Sequence, residues 1–379
     1  MDFVFKSKYQ PRNQKFLKTI EISAKKLYIK LRNLDIDTLN ISNYMKNYFG
    51  ELLGNLEGNL QKYAFFLSLC LRNYKDSLED FVFIDYGGGS GIFSLLAKEV
   101  GIGRVLYNDI YNISCHDAKE IGDSIGNTAE EYILGEIPEI LSYLKENSIF
   151  CNALGTYNVI EHIYDIESFF QGLIDLPQKN ISFVLGSGAN PYNPILKRRI
   201  TTHHLEHEFT DRKKEYGHKE GDSLKAYSKI RRQLIVKFSK DKLNPADIDK
   251  LTDLTKGLIK KDIEECVSNY IDSKSLPKSK EDKFPTNTCD PITGNWAERL
   301  MDPYDLIKIF NQNNFSSQVI AGIYENRKNL NIKSFISKLN LNIAPVYNPL
   351  ARLVNSFINY FPRSGLYLAP YYILYAFKN

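Results

Sequence analysis

Four residues at alternate positions set the first chemical question: Asp85, Gly87, Gly89 and Gly91, inside "FVFIDYGGGSGIFSLLAKEV" from Phe81 to Val100. An apolar run ends in an acid, a glycine-rich turn follows, and then an apolar helix pattern begins. Glycine permits positive φ and lets a backbone approach a ligand closely. The helix start after it offers free N–H groups to an anion. A phosphate loop of the GxxxxGK[ST] type is excluded, because no lysine follows Gly91 at that spacing. A dinucleotide loop needs GxGxxG, and its nearest register here puts Ser94 at the third glycine, a weak match. Asp109 stands just past the apolar "VLY", eighteen residues after Gly91. A carboxylate suits a vicinal diol, because it accepts two hydrogen bonds at once. The plainer readings are a tight turn for the glycines and a helix or turn cap for Asp109.

Those residues need elements to position them. Before residue 78 the pattern is mostly helical, with apolar three-and-four spacing in "IEISAKKLYIKLRNL" and "LEGNLQKYAFFLSLCLRNY". From Phe81 onward strand-like runs alternate with helices. The runs are "FVFI", "RVLY", "EEYIL", a fourth inside "IFCNALGTYNVIEHI" and a fifth in "NISFVLGSG". "IFSLLAKEV" closed by Gly101 and Gly103, "PEILSYLKEN" and "IESFFQGLIDL" are the helices between. This alternation predicts a doubly wound parallel α/β sheet with ligands at the carboxyl ends of its strands. From about residue 190 to 288 the chain turns polar, charged and helical. We read it as an insertion, ending in the linker "SKSLPKSKEDKFPTNT". Strand patterns return in "SSQVIAGIYE" and "YYILYAFKN", with "FISKL" and "PLARLVNSFINYF" helical between them. The resulting division is 1–78, a helical extension; 79–189, the ligand-binding core; 190–290, an insertion or lid; and 291–379, completion of the core.

Composition narrows the class. A net charge of +4 gives no bulk-charge argument for nucleic acid. Five cysteines, an odd number with no CxxC pair, argue against a disulfide framework or zinc ribbon and for a reducing compartment. No apolar run reaches the ~18 residues of a transmembrane helix, and no signal-peptide core is seen, so a cytoplasmic location is expected. The sequence leaves the oligomeric state open.

The glycine loop with Asp85 before it and Asp109 after the second strand resembles the class I S-adenosylmethionine-dependent methyltransferases. A second segment, "NALGTYNVIEHIYDIESFF" from Asn152 to Phe170, resembles the family's fourth strand, as in ubiquinone-type and sugar or small-molecule methyltransferases. The likeness covers about 81–185 well and 294–379 loosely. It implies a Rossmann-like, seven-stranded methyltransferase sheet and S-adenosylmethionine as cofactor. Asp85, Gly87, Gly89 and Gly91 would lie along its methionine part, and Asp109 on its ribose. Glu136, in "GEI", stands where the family has an acid at the adenine, and Asn158 ends the fourth strand near the cofactor. Asn152 replaces an Asp often found early in that strand. The resemblance implies methyl transfer to an acceptor, foremost the oxygen of a small molecule or glycan. N-methylation and cofactor binding without turnover are the alternatives, and a nicotinamide-dependent oxidoreductase is the outside case. The Asn-Pro-Pro-Tyr signature of amino-methylating enzymes is absent.

A hydroxyl acceptor calls for a base, and histidine suits neutral pH. His162 is the first candidate as base or orienting group, with Glu161 beside it; a structural turn cap is the alternative for His162. In "TTHHLEHEF", His203 and His207 share one helix face, and His204 and Glu208 another. Either pair could give a metal two ligands, but no third is evident, so no metal is assigned. His203, His204 and His207 stand as substrate-contact candidates. The run holding Arg212, Lys213, Lys214, His218, Lys219, Arg231 and Arg232 reads first as a solvated surface helix. Its functional reading is a basic lid over an anionic acceptor.

Overall fold

The computed structural model describes the chain apart from residues 1–2, 6, 10, 12, 214–222, 277–282, 328–343 and 379. "FISKL" therefore lies outside the described residues, as do Lys214, His218 and Lys219. The chain divides into two compact units. The first holds 1–159, 167–188 and 303–379; the second holds 160–166 and 189–302.

The first unit is built on a seven-stranded sheet in the order β3-β2-β1-β4-β5-β7-β6. Its strands are β1 (Val82–Tyr86), β2 (Arg104–Asp109), β3 (Glu131–Leu134), β4 (Cys151–Tyr157), β5 (Gln178–Ser187), β6 (Ser316–Ala321) and β7 (Tyr372–Lys378). β1 to β5 run parallel, and β7 is antiparallel to both β5 and β6. This is the class I methyltransferase strand order, with the order reversing beside β1, where β4 takes its other edge. Open α/β sheets bind ligands at that switch point.

The N-terminal helices α1 (Gln14–Arg32), α2 (Asn43–Gly54) and α3 (Leu56–Cys70) belong to the same compact unit as the sheet. α2 falls in the stretch before residue 78 that reads as mostly helical, without a pattern of its own there, and the Ser42 side chain caps it by accepting the Met45 N–H. α3 is buried almost all round, as expected of a helix apolar on most faces. Phe65 and Phe66 of α3 join Phe83 of β1 and Phe93 of α4 (Ile92–Val100) in one core. α5 (Asn112–Ile125) follows β2, α6 (Ile137–Glu146) follows β3, and α7 (Ile166–Ile174) precedes β5. Gly101 closes α4 in the left-handed conformation.

The second unit is helical: α8 (Pro194–Phe209), α9 (Tyr227–Ser239), α10 (Pro245–Leu254) and α11 (Lys260–Ser273). Ile235, Leu251, Ile263 and Val267 form its own small core. α12 (Pro303–Gln312), α13 (Ala344–Tyr360) and the one-turn α14 (Pro362–Gly365) return to the first unit. No helix among the described residues is long and apolar enough to cross a membrane.

Candidate functional site

β1 delivers Asp85 into the interior, only 2% exposed. Its Oδ2 accepts the Ser94 N–H at 3.0 Å and the Ser94 hydroxyl at 2.7 Å. Burial raises the Asp85 pKa to about 7, the Ser94 bonds pull it back, and the Asp109 charge pushes it up further. The serine that spoils the dinucleotide pattern is thus the partner of the buried acid.

All four glycines of the turn are used, for two different reasons. Gly87, Gly89 and Gly91 have φ of 62°, 55° and 75°. Gly88 is needed for space, since a Cβ there would meet the Tyr107 ring at 2.5 Å and the Asp85 carboxylate at 2.9 Å. The turn is pinned from β2: the Gly88 N–H donates to the Asn108 carbonyl at 2.9 Å, and the Tyr107 hydroxyl donates to the Gly89 carbonyl at 2.6 Å. At Gly89 a Cβ would find only Tyr48 of α2, its ring at 3.7 Å and its hydroxyl at 3.8 Å. So the backbone at Gly89 has an approachable face, with an aromatic ring beside it.

Asp109 ends β2 and is only 4% exposed. Its Oδ2 accepts the Gly89 N–H at 3.2 Å and its Oδ1 the Tyr111 N–H at 3.0 Å. An ionised carboxylate has roughly four acceptor positions, so capacity for a diol remains. One strand over, Asn108 fixes the end of β3 by donating to the carbonyls of Ile133 and Gly135, both at 2.9 Å. Glu136 is exposed and starts α6, its N–H donating to Glu139 Oε2 at 2.8 Å. The Asn108 Oδ1 is buried with no hydrogen-bond donor among the described residues.

On the other side of β1, Asn158 follows β4 in the left-handed conformation, φ 58°. Its N–H donates to the Gly186 carbonyl and its Oδ1 accepts the Gly188 N–H, each at 2.9 Å, which ties the ends of β4 and β5. Val159 fills the space beside Gly87, 2.6 Å from where a Cβ would stand. Asp85, the glycine turn, Asp109, Glu136 and Asn158 therefore lie along one edge of the sheet, the carboxyl edge. Asn152 has a sheet-building contact instead, its Oδ1 accepting the Val82 N–H at 2.8 Å.

Glu161 and His162 sit in a short 3-10 turn, Ile160–His162, which groups with the second unit. The His162 Nδ1 lies 2.8 Å from the Trp296 carbonyl oxygen. A carbonyl only accepts, so Nδ1 carries the proton and Nε2 is the basic nitrogen. Glu161 is buried, and its backbone carbonyl accepts the Arg299 N–H at 3.0 Å. Nearby, Tyr164 stacks on Trp296 and donates to Asp262 at 2.5 Å.

The three α8 histidines separate. His204 is fully buried, with Nδ1 3.2 Å from the Thr286 hydroxyl and Nε2 3.0 Å from the Glu298 carbonyl, so both ring nitrogens are engaged within its unit. Burial lowers its pKa. The His203 and His207 rings lie 4.0 Å apart, tilted by 58°, and His207 Nδ1 returns to the His203 carbonyl at 3.0 Å. Glu208, the helix mate of His204, pairs with Arg231 and accepts the Thr288 hydroxyl at 2.7 Å. Arg231 is 1% exposed, so it departs from the basic surface run in which its neighbours placed it. Arg232, the next residue, does face outward, toward Asp249 at 3.1 Å. Arg212 lies over the Tyr227 ring.

No family model matches this chain, and no curated protein matches it. Among solved structures it is similar to an S-adenosylmethionine-dependent methyltransferase from Mesorhizobium loti, at 11% identity and a TM-score of 0.36, over 83% of this chain and 98% of that one. It is also similar to a SAM-dependent methyltransferase from Aquifex aeolicus, at 17% identity and a TM-score of 0.24, over 28% and 56% of the two chains. A putative sarcosine dimethylglycine methyltransferase from Galdieria sulphuraria is similar at 14% identity and a TM-score of 0.24, over 28% and 39%. The chain thus spans less than two thirds of the Aquifex and Galdieria proteins. The strand order stands on the sheet itself.

Proposed function

We propose that the protein is a SAM-dependent methyltransferase acting on the oxygen of a small molecule or glycan. The observation that carries the reading is Asp109: a buried carboxylate with acceptor capacity left, bonded to the N–H of a glycine whose face is approachable, at the switch point of the sheet. Asp109 would hold the ribose hydroxyls. Gly87, Gly89 and Gly91 would let the methionine portion lie against backbone, and Tyr48 would form a wall beside it. Glu136 and the buried Asn108 Oδ1 are the acceptors we assign to the adenine side. Asp85 holds the turn through Ser94. Asn158 shapes the end of β4.

Bound S-adenosylmethionine supplies a methyl group activated by a sulfonium. The chain's part is then alignment and proton removal. We assign His162 as the base for a hydroxyl acceptor, because its Nδ1–H bond to the Trp296 carbonyl leaves Nε2 to receive the proton. Glu161, buried alongside in sequence, is the second candidate. His203 and His207 remain acceptor-contact candidates; His204, with both ring nitrogens engaged, serves that role least.

Calorimetric titration with SAM, S-adenosylhomocysteine, NAD and NADP tests the cofactor. We expect the two sulfur compounds alone to bind; binding of a nicotinamide cofactor alone sinks the proposal. Turnover on an acceptor separates an enzyme from a binding protein. His162→Ala should then lower turnover by about 10²–10⁴-fold while S-adenosylhomocysteine binds as in the parent. Full turnover across pH in that variant removes His162 as the base.

A further inference from the structure

Helix α13 carries an apolar stripe that its own unit does not use. Its buried face is Ala351, Asn355 and Ile358, each no more than 5% exposed. Asn355 clamps that face down, its Oδ1 accepting the Tyr324 N–H at 2.7 Å and its Nδ2 donating to the Tyr324 carbonyl at 2.8 Å. On a different face Val346, Leu350, Leu353, Phe357, Tyr360 and Phe361 recur at three-and-four spacing. Val346, Leu353 and Tyr360 are 71%, 68% and 77% exposed. The stripe runs about 22 Å at 1.5 Å per residue. Scattered exposed apolar residues are ordinary, but a contiguous stripe of this kind marks an interaction surface.

Charge says what covers it. After Glu325 the chain has seven lysines and arginines and no aspartate or glutamate. Two of the basic residues, Arg352 and Arg363, are exposed on or next to α13. A second copy of the chain seated on this stripe would bring like charges together. An anionic bilayer surface meets both properties at once: its acyl boundary takes the apolar stripe and its headgroups the cations. Tyr360 and Phe361 add the aromatic side chains that settle at such a boundary. We propose that α13 is an interfacial membrane-docking helix, lying in the plane of an anionic lipid surface rather than crossing it. This does not depend on the cofactor.

The test is co-sedimentation of the full chain with vesicles of phosphatidylcholine alone and of phosphatidylcholine with phosphatidylglycerol. We expect binding to the phosphatidylglycerol vesicles at low ionic strength, falling as salt rises. Leu353→Glu and Phe357→Glu should each weaken it by about tenfold or more. Arg352→Glu should weaken it less, and none of the three should shift the melting temperature much, since all the sites are exposed. Hydrogen exchange across 346–361, with and without vesicles, checks the parent chain independently of any variant, and protection is expected. Three outcomes overturn the proposal. One is no binding or protection with the anionic vesicles. Another is parent-like binding by both glutamate variants. The third is a lipid-free dimer that Leu353→Glu dissociates, which would give the stripe to a second copy.

Discussion

Asp85 in the first unit and Glu208 in the second are buried to the same depth, each 2% exposed, yet they titrate in opposite directions. Burial raises both. Asp85 has only neutral donors, the Ser94 N–H and hydroxyl, and its pKa ends at about 7. Glu208 has the Arg231 guanidinium and the Thr288 hydroxyl, which outweigh burial and leave its pKa lowered. Depth does not set the state of a buried acid; the charge of its partner does. One region therefore keeps a carboxyl that changes charge near neutrality, and the other keeps a fixed, buried ion pair.

The largest effect should come from breaking the fixed pair. Arg231 bonds Glu208 through both terminal nitrogens and donates from Nε to the Thr252 carbonyl at 3.2 Å. Arg231→Met would leave Glu208 charged and buried without its paired cation, a loss of about 3–5 kcal/mol. Chemical denaturation should show it, and pairing the change with Glu208→Leu should recover much of the loss. A single Arg231→Met variant as stable as the parent would mean that Glu208 reaches water or takes a proton without cost.

The sequence showed these two regions unequally, and distance along the chain explains why. Asp85 and Ser94 are nine residues apart, inside one strand-turn-helix segment whose periodicity and glycines are local signals. The same locality made β1 to β5, β6, β7 and the helices α1, α3 and α4 legible. Glu208 finds Arg231 and Thr288 at separations of 23 and 80 residues. Nothing near Arg231 distinguishes it from Arg232, so the run read as a surface. Gly88 was passed over because its need is space beside Tyr107 and Asp85, not a dihedral. Tyr48 lies in a stretch that reads only as broadly helical, and it stands beside Gly89 through the packing of α2. Contact across the fold is what a periodicity cannot report.

The pH dependence of stability sharpens the contrast. Asp85 has a raised folded pKa, so its contribution is fully present below its unfolded value, about 3.9, and is lost as pH rises through about 7. Glu208, with a lowered pKa, contributes above its unfolded value and loses that contribution as pH falls through its folded pKa. The limb between about pH 4 and 7 thus belongs to Asp85 and the acid limb to Glu208. Asp85→Asn keeps an acceptor for Ser94 and removes the charge. We expect it to flatten the upper limb, whose slope from this one group approaches about 1.4 kcal/mol per pH unit. Melting curves from pH 4 to 8 measure it. An unchanged slope would place the titrating group elsewhere.

Asp109 tests whether the first unit's acids divide their work between structure and ligand. It shares the turn with Asp85 but keeps acceptor capacity, so its loss should fall on binding. Asp109→Ala should weaken S-adenosylhomocysteine by about 1–3 kcal/mol, the scale of hydrogen bonds to a charged group. Asp85→Asn should weaken it less. If the ranking is reversed, the structural and ligand-holding roles have been exchanged.

The smallest expected effect asks whether the N-terminal helices share in the site or merely cover the sheet. The Ser42 N–H and hydroxyl both bond the buried Asp117 of α5, which fixes the start of α2. Tyr44 and Tyr48 stack with ring centroids 6.0 Å apart, and Tyr48 stands beside Gly89, the glycine of the turn with the most open face. Tyr48→Ala should weaken S-adenosylhomocysteine by about tenfold, since a ring wall of that size contributes about 1–2 kcal/mol of apolar contact. Tyr48→Phe should bind within a few-fold of the parent if the ring is what matters. Equal loss in both variants would transfer the role to the hydroxyl. No loss in either would make α2 a cover for the core, and the contrast with the second unit would then be one of packing alone.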